Sequence, residues 1–196
     1  MTSSGDNPWP LFAQWQQEAI DSGEFKEPTA MCLATADAQG RPSSRMVLLK
    51  SLGEDGLVFY TNYESRKGAH LDENPQASVT LWWDRLYRQI RAEGPVRRTS
   101  EAVSDAYFSS RPRGSNLSAM ASHQSQPIEN RALLEQRVAA LESEYEGREV
   151  PRPPQWGGYR LLPTRIEFWQ GRPNRLHERH EYLLIDGHWT RHLLQP

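Results

Sequence analysis

The chain contains one cysteine, Cys32. An intrachain disulfide is therefore impossible, and a cysteine-based zinc site is not expected. Lysine is scarce: Lys26, Lys50 and Lys67 stand against 20 arginines. No apolar run approaches the ~18–20 residues of a membrane-spanning helix. MTSSGDNPWP at the start lacks a basic stretch followed by an apolar one, so no secretory signal is read and the cytoplasm is the expected location. An excess of either charge is missing too. The formal net charge is -2 and the pI is near 6.3, which leaves no global electrostatic footprint for nucleic acid. The glycine loops G-x-G-x-x-G and G-x-x-x-x-G-K-[ST] do not occur, nor does the G-x-S-x-G elbow. His177 and His180 have a spacing that suits metal ligands on a helix. They fall in strand-like sequence, as do His188 and His192, and no metal site is expected.

What is present suits one globular domain spanning residues 1–196. A 37% hydrophobic share with 10% aromatics allows a substantial core at this length. Residues 1–8 are polar and expected to be mobile. Leu11, Phe12, Trp15, Ala19 and Ile20 recur at helical spacing, which predicts an amphipathic helix over 9–22 ending near Gly23. TAMCLATAD, SSRMVLLKS, LVFYTN, ASVTLWW and YRQIRAEGPVRR follow as alternating, β-branched and aromatic runs separated by turns. That is the signature of an antiparallel sheet or barrel. Ser100 can cap a helix through Ser110 that Pro112 ends. A short helix is expected over 115–122 and a longer one over 128–146, with Leu134, Val138, Leu141 and Tyr145 on one face. GGYRLLP, RIEFWQ, RLHERHEYLLI and HWTRHLL return to strands. The fold class is α+β.

Two places break local rules. In NYESRKGAHLDENP, Ser65 is a good N-cap and Asn74-Pro75 a good stop, which puts Arg66 and Lys67 in the first helical turn. The helix dipole disfavours cations there. Free N–H groups, a hydroxyl and two cations at one helix start make a phosphate cradle; two solvated side chains are the plain alternative. The second is IEFWQGRPNRLHERHEY, residues 166–182, which reads as a β-hairpin with GRPN as a four-residue loop. Arg175, His177 and Arg179 would then share one strand face beside Trp169, with Leu176 and Glu178 opposite. Two charges ~7 Å apart repel by about 0.6 kcal/mol in water and about 2.4 at an effective dielectric near 20. On a wet face this is trivial; in a cleft an anion would relieve it. Weaker candidates are Arg45 and Lys50 at the ends of SSRMVLLKS, and Tyr107, Arg111 and Ser115 in YFSSRPRGS, a phenol, guanidinium and hydroxyl that suit a phosphomonoester.

EFWQGRPNRLHER resembles the C-terminal signature of the pyridoxine 5'-phosphate oxidase family. RMVLLK, FYTNYESRKG, RQIRAEG, YFSSRPRGS, SHQSQPI and WGGYR also resemble family segments, in family order, over residues 28–196. The resemblance implies a mostly antiparallel split β-barrel with flanking helices, and a homodimer with FMN at the subunit interface. It implies oxidation of pyridoxine or pyridoxamine 5'-phosphate to pyridoxal 5'-phosphate, O2 being reduced to H2O2. By position, Arg45, Met46, Val47, Leu48, Leu49 and Lys50 would line the flavin, with Tyr60 and Thr61 beneath it. Arg66 and Lys67 would hold its phosphate. Gln89, Gln124, Ser125, Trp169 and Arg179 match further flavin contacts. Lys50, Tyr107, Arg111 and Ser115 match a clamp on the substrate phosphate, and Arg175 and His177 match residues over the substrate ring. Their expected role is orientation and electrostatics.

Only DNPWPLFAQW resembles the end of the family's longer N-terminal segment, so the expected active-site lid is short, absent or supplied otherwise. Three rivals remain: a flavin oxidase of an unphosphorylated aromatic such as a phenazine precursor, a non-catalytic flavin or pyridoxal-phosphate binder, and a plain barrel with a solvated basic face. The first would not need Lys50, Tyr107, Arg111 and Ser115 together. The second would not need Arg175 and His177.

Overall fold

The computed structural model describes residues 7–196. Most of the stretch expected to be mobile, residues 1–6, lies outside the described residues. Asn7 is held: its Oδ1 accepts from the N–H of Trp9 at 3.0 Å. Helix α1, Trp9–Asp21, follows. It buries Trp9, Phe12, Trp15 and Ala19, the stripe anticipated from the spacing, and Gly23 leaves it at φ +66.

Ten strands follow, all paired antiparallel. They are β1 Ala30–Ala36, β2 Pro42–Leu48, β3 Ser51–Gly53, β4 Gly56–Asn62, β5 Gln76–Trp83, β6 Arg88–Arg98, β7 Trp156–Leu161, β8 Arg165–Gln170, β9 Glu178–Ile185 and β10 His188–Leu194. Helix α2, Arg66–Glu73, links β4 to β5. Helices α3, Glu101–Ser110, α4, Arg113–Ala121, and α5, Arg131–Glu144, fill the span between β6 and β7. The main path runs β10-β9-β8-β6-β5-β1-β2, and a branch runs β3-β4-β7-β6. Strand β6 belongs to both: Arg88–Glu93 pair with β8, and Val96–Arg98 pair with β7. The split falls at Gly94. A Cβ there would lie 2.2 Å from the carbonyl oxygen of Leu162, so only glycine lets the two branches part so closely. The result is a curled, split barrel.

Its core follows from alternation. Met31, Leu33 and Thr35 of β1, Ala77, Val79, Leu81 and Trp83 of β5, and Ile90 and Ala92 of β6 point inward. Helix α1 closes this face, with Phe12 and Trp15 edge-on to Phe168 at 6.2 and 5.4 Å.

Several boundaries differ from expectation. SSRMVLLKS is not one strand: it breaks at Leu49-Lys50 into β2 and β3, because Leu49 turns into the core, its N–H bonding the carbonyl of Thr29 at 2.9 Å. Helix α4 begins at Arg113, two residues before the expected start, directly after Pro112, whose fixed φ suits a helix entrance. Helix α5 begins at Arg131, since Asn130 caps it by accepting from Leu133 N–H. The hairpin is the largest departure. Strand β8 ends at Gln170 and β9 starts at Glu178, so the loop has seven residues, not four. Asn174 and Arg175 both adopt left-handed φ, +56 and +62, within a 3-10 turn. Two such residues in succession cannot continue a strand. Arg175, His177 and Arg179 therefore do not share a strand face; only Arg179 lies in β9.

Candidate functional site

A cleft of about 570 Å3 opens between β2, the end of β4, and the α3–α4 corner. Its lining brings together Arg45, Met46, Val47, Leu48, Lys50, Tyr60, Thr61, Lys67, Tyr107, Arg111, Ser115 and Gln124. All twelve were singled out from the sequence. Pro112 and Trp156 also line it and were not. Leu49 does not reach it, being buried in the core.

The N-terminus of α2 forms one wall. Ser65 caps it, Oγ accepting from Gly68 N–H at 3.4 Å, while the N–H of Arg66 donates to Ser125 Oγ at 3.2 Å. Gly68 is required: a Cβ would lie 1.8 Å from the carbonyl oxygen of Tyr63. Lys67 folds back and is buried. Its Nζ donates to Thr61 Oγ1 at 3.0 Å, Ser65 Oγ at 3.0 Å and Gln124 Oε1 at 2.6 Å. All three acceptors are neutral. Burial, then the nearby Arg45, pulls Lys67 down from 10.5 to about 8.

The opposite wall is aromatic. Tyr60 stacks on Tyr107 at 3.8 Å, and Trp156 lies nearly parallel to both. Arg111 caps α3 in extended conformation and lays its guanidinium over Trp156 at 4.5 Å. Its Nη2 donates to the Ser115 carbonyl at 3.2 Å, whereas its Nη1 is buried with no protein partner. Burial lowers Arg111, and burial with Arg66 lowers Arg45. No carboxylate contributes to the shift of Arg45, Lys67 or Arg111. Elsewhere this arginine-rich chain pairs its guanidiniums with acids, as in Arg41–Asp37 and Arg165–Glu181. Partly buried cations without counter-charge are costly unless an anionic ligand completes them.

The remaining predicted residues lie apart. Gln89, Trp169 and Arg179 are successive partners across β6, β8 and β9. Trp169 sits 4.6 Å from His177 and 5.8 Å from the exposed Trp82, which the sequence reading did not single out. His177 Nδ1 accepts from Arg172 N–H at 3.1 Å, and Arg175 is exposed. Arg179 is engaged: Nε and Nη2 donate to the two oxygens of buried Glu167 at 2.9 and 3.1 Å, and Arg91 pairs with the same carboxylate. From β8 to β2 the sheet takes four inter-strand steps, about 19 Å at ~4.8 Å each. Among the described residues, no group of three or more His, Cys, Asp or Glu could hold a metal, and no helix is long and apolar enough to cross a membrane.

Comparison with known proteins gives a consistent result. The family model described as pyridoxamine 5'-phosphate oxidase matches residues 18–145, and that of the pyridoxine 5'-phosphate oxidase C-terminal dimerisation region matches 156–196. A pyridoxine/pyridoxamine 5'-phosphate oxidase of Rubrobacter xylanophilus is 54% identical, covering 100% of this chain and 91% of the relative. One from Synechocystis is 52% identical over 97% and 89%. Among solved structures, PhzG from Burkholderia lata, in complex with tetrahydrophenazine-1-carboxylic acid, superposes with a TM-score of 0.93 at 35% identity, covering 99% of this chain and 95% of that one. A pyridoxamine 5'-phosphate oxidase-related, FMN-binding protein from Nostoc punctiforme shares the fold at a TM-score of 0.77 and 18% identity, over 97% and 98%.

Proposed function

The chain belongs to the pyridoxamine 5'-phosphate oxidase family, and we infer that it oxidises pyridoxine or pyridoxamine 5'-phosphate to pyridoxal 5'-phosphate with FMN as cofactor. One observation carries the assignment to this cleft: Arg45, Lys67 and Arg111 converge on it without a carboxylate, and Arg111 Nη1 is buried unpaired. That donor set fits two phosphorylated ligands.

The residue roles follow from position. Lys67, Arg66 and the α2 start take the FMN phosphate, with Ser125 and Gln124 ordering that corner. Arg45 to Leu48, together with Tyr60 and Thr61, line the flavin ring. Lys50, Tyr107, Arg111 and Ser115 take the substrate phosphate. When bound, FMN would supply the hydride acceptor for the substrate's C4' carbon and pass the two electrons to O2 as H2O2, the amine substrate also taking up water and releasing ammonia. The protein's part is positional. It anchors a remote phosphate and stacks the reacting rings, and no residue of the cleft is asked for an obligatory proton transfer.

Gln89, Trp169, Arg175, His177 and Arg179 do not line that cleft, and Trp169 and Arg179 lie on β8 and β9, four and five inter-strand steps along the sheet from β2. We therefore read the enzyme as a homodimer with FMN at the interface, one protomer supplying the cleft and its partner supplying this cluster. The match of residues 156–196 to a dimerisation region supports this. In this reading Arg179 meets the flavin, while Arg175 and His177 orient the substrate. The chain acts as one domain, because strands from both ends join one sheet, and it works in the cytoplasm.

A phenazine-type substrate, suggested by the likeness to PhzG, would leave the phosphate clamp without a purpose. Lys50, Tyr107, Arg111 and Ser115 all face one cleft here, which supports the phosphorylated vitamer. Aerobic turnover of the FMN-loaded protein tests the function. Pyridoxal 5'-phosphate and H2O2 forming in equal amounts is the expected result. Tight FMN binding without turnover of either phosphorylated vitamer would overturn it.

A further inference from the structure

Thr35 occupies a core position and is not apolar. In β1 it shares the inward face with Met31 and Leu33, and it is only 3% exposed. Valine would have the same shape there without a buried hydroxyl to satisfy. That hydroxyl is satisfied twice. Arg45 Nη1 donates to Thr35 Oγ1 at 2.8 Å, and His70 Nδ1 lies 3.2 Å from the same oxygen. His70 is itself buried, one turn beyond Lys67 on α2.

Donor arithmetic orders this chain. A guanidinium can only donate, so Thr35 Oγ1 accepts from Arg45 and keeps its own proton free. His70 Nδ1, 3.2 Å from Oγ1, is placed to accept that proton. The second Nη1 proton of Arg45 goes to the Leu33 carbonyl at 3.1 Å. Both Nη1 protons are then used, and the Nε–Nη2 edge is left without a protein partner among the described residues. That edge is the fork suited to paired acceptors, on a residue that lines the cleft.

We propose that Thr35 and His70 are positioning residues for the flavin site: His70, as the neutral Nε2–H tautomer, accepts from Thr35, which holds Arg45 with its Nε–Nη2 edge turned to FMN. The same link ties Arg45 on β2 to the helix that carries Lys67, so the ring and phosphate ends of the flavin site are set relative to each other. The inference rests on the reading of Arg45 as a flavin contact.

The test is a double-mutant cycle on FMN affinity, measured by flavin fluorescence quenching on the apoprotein. Thr35→Val and His70→Leu each weaken FMN binding about tenfold, and Thr35→Ser restores it. In an Arg45→Ala background neither variant weakens binding further, because both act through that side chain. A variant that is silent in the wild-type background, or equally harmful with and without Arg45, overturns the positioning role. Arg45→Ala that leaves FMN affinity unchanged overturns the flavin-contact reading itself and this inference with it.

Discussion

Gln124 Oε1 lies 2.6 Å from Lys67 Nζ, so an exposed amide, not a carboxylate, closes the shell of a buried ammonium. This has a pH signature. Lys67 is held near 8 in the folded apoprotein, against 10.5 for the free side chain. Between those values the unfolded chain binds the extra proton, so apoprotein stability rises with pH across that window. A phosphate reverses the preference by favouring the ammonium. FMN binding therefore takes up a proton above pH 8, and its Kd rises there by up to about tenfold per pH unit. FMN titrations between pH 7 and 9.5 check this. Lys67→Arg, which stays charged, flattens the rise.

Arg111 sits over Trp156 with Nη1 unpaired. Removing it deletes charge-assisted bonds of about 1.5–3 kcal/mol. Arg111→Ala raises KM for the phosphorylated substrate roughly 10- to 100-fold, with a smaller effect on kcat and none on FMN affinity. Arg111→Lys does not restore KM, since a compact ammonium can neither stack on the indole nor present a planar fork. Steady-state kinetics with both vitamers read the outcome.

Gly68 cannot carry a side chain. Its Cβ would meet the backbone of Tyr63, which has no room to give. Gly68→Ala costs about 2–3 kcal/mol or more and displaces the start of α2. Thermal melts of the apoprotein show the stability loss, and FMN titration shows weakened phosphate binding in parallel.

If each site is shared between protomers, as proposed, two impaired variants complement each other. Assayed at substrate well below the wild-type KM, Arg111→Ala and Arg175→Ala each leave their own homodimer with little activity. In a mixed dimer one site receives both wild-type residues and the other receives neither. Random reassortment of equal amounts recovers about a quarter of wild-type activity. Co-unfolding and refolding the two variants, then assaying, measures it. No recovery from dimers shown to be mixed would place both residues in one protomer's site.

The sequence showed most where one residue type has one use. Ser65 before Arg66-Lys67 announced the start of α2, where the Ser65 side chain caps the helix and Lys67 turns back to line the cleft. The alternation of Met31, Leu33 and Thr35 announced a half-buried strand. RLHERHEY misled for the same reason: alternation is necessary for a strand but does not make one. Asn174 and Arg175 turn left-handed, and nothing in their neighbours' polarity records that. Trp156 stands just before the strand-like run GGYRLLP, and its place beneath Arg111 is a tertiary fact. The separation of His177 and Trp169 from the cleft was equally invisible, since spacing along a chain says nothing about distance across a sheet.

The three carboxylate-free cations carry a last consequence. Holding them together without counter-charge weakens the empty fold, so the flavin completes the protein as well as its chemistry. Bound at a hundredfold above its Kd, a ligand adds about 2.7 kcal/mol to stability. The fraction of chains exposed to proteolysis then follows the cellular supply of FMN, and scarcity of one vitamin-derived cofactor lowers the abundance of the enzyme that finishes another.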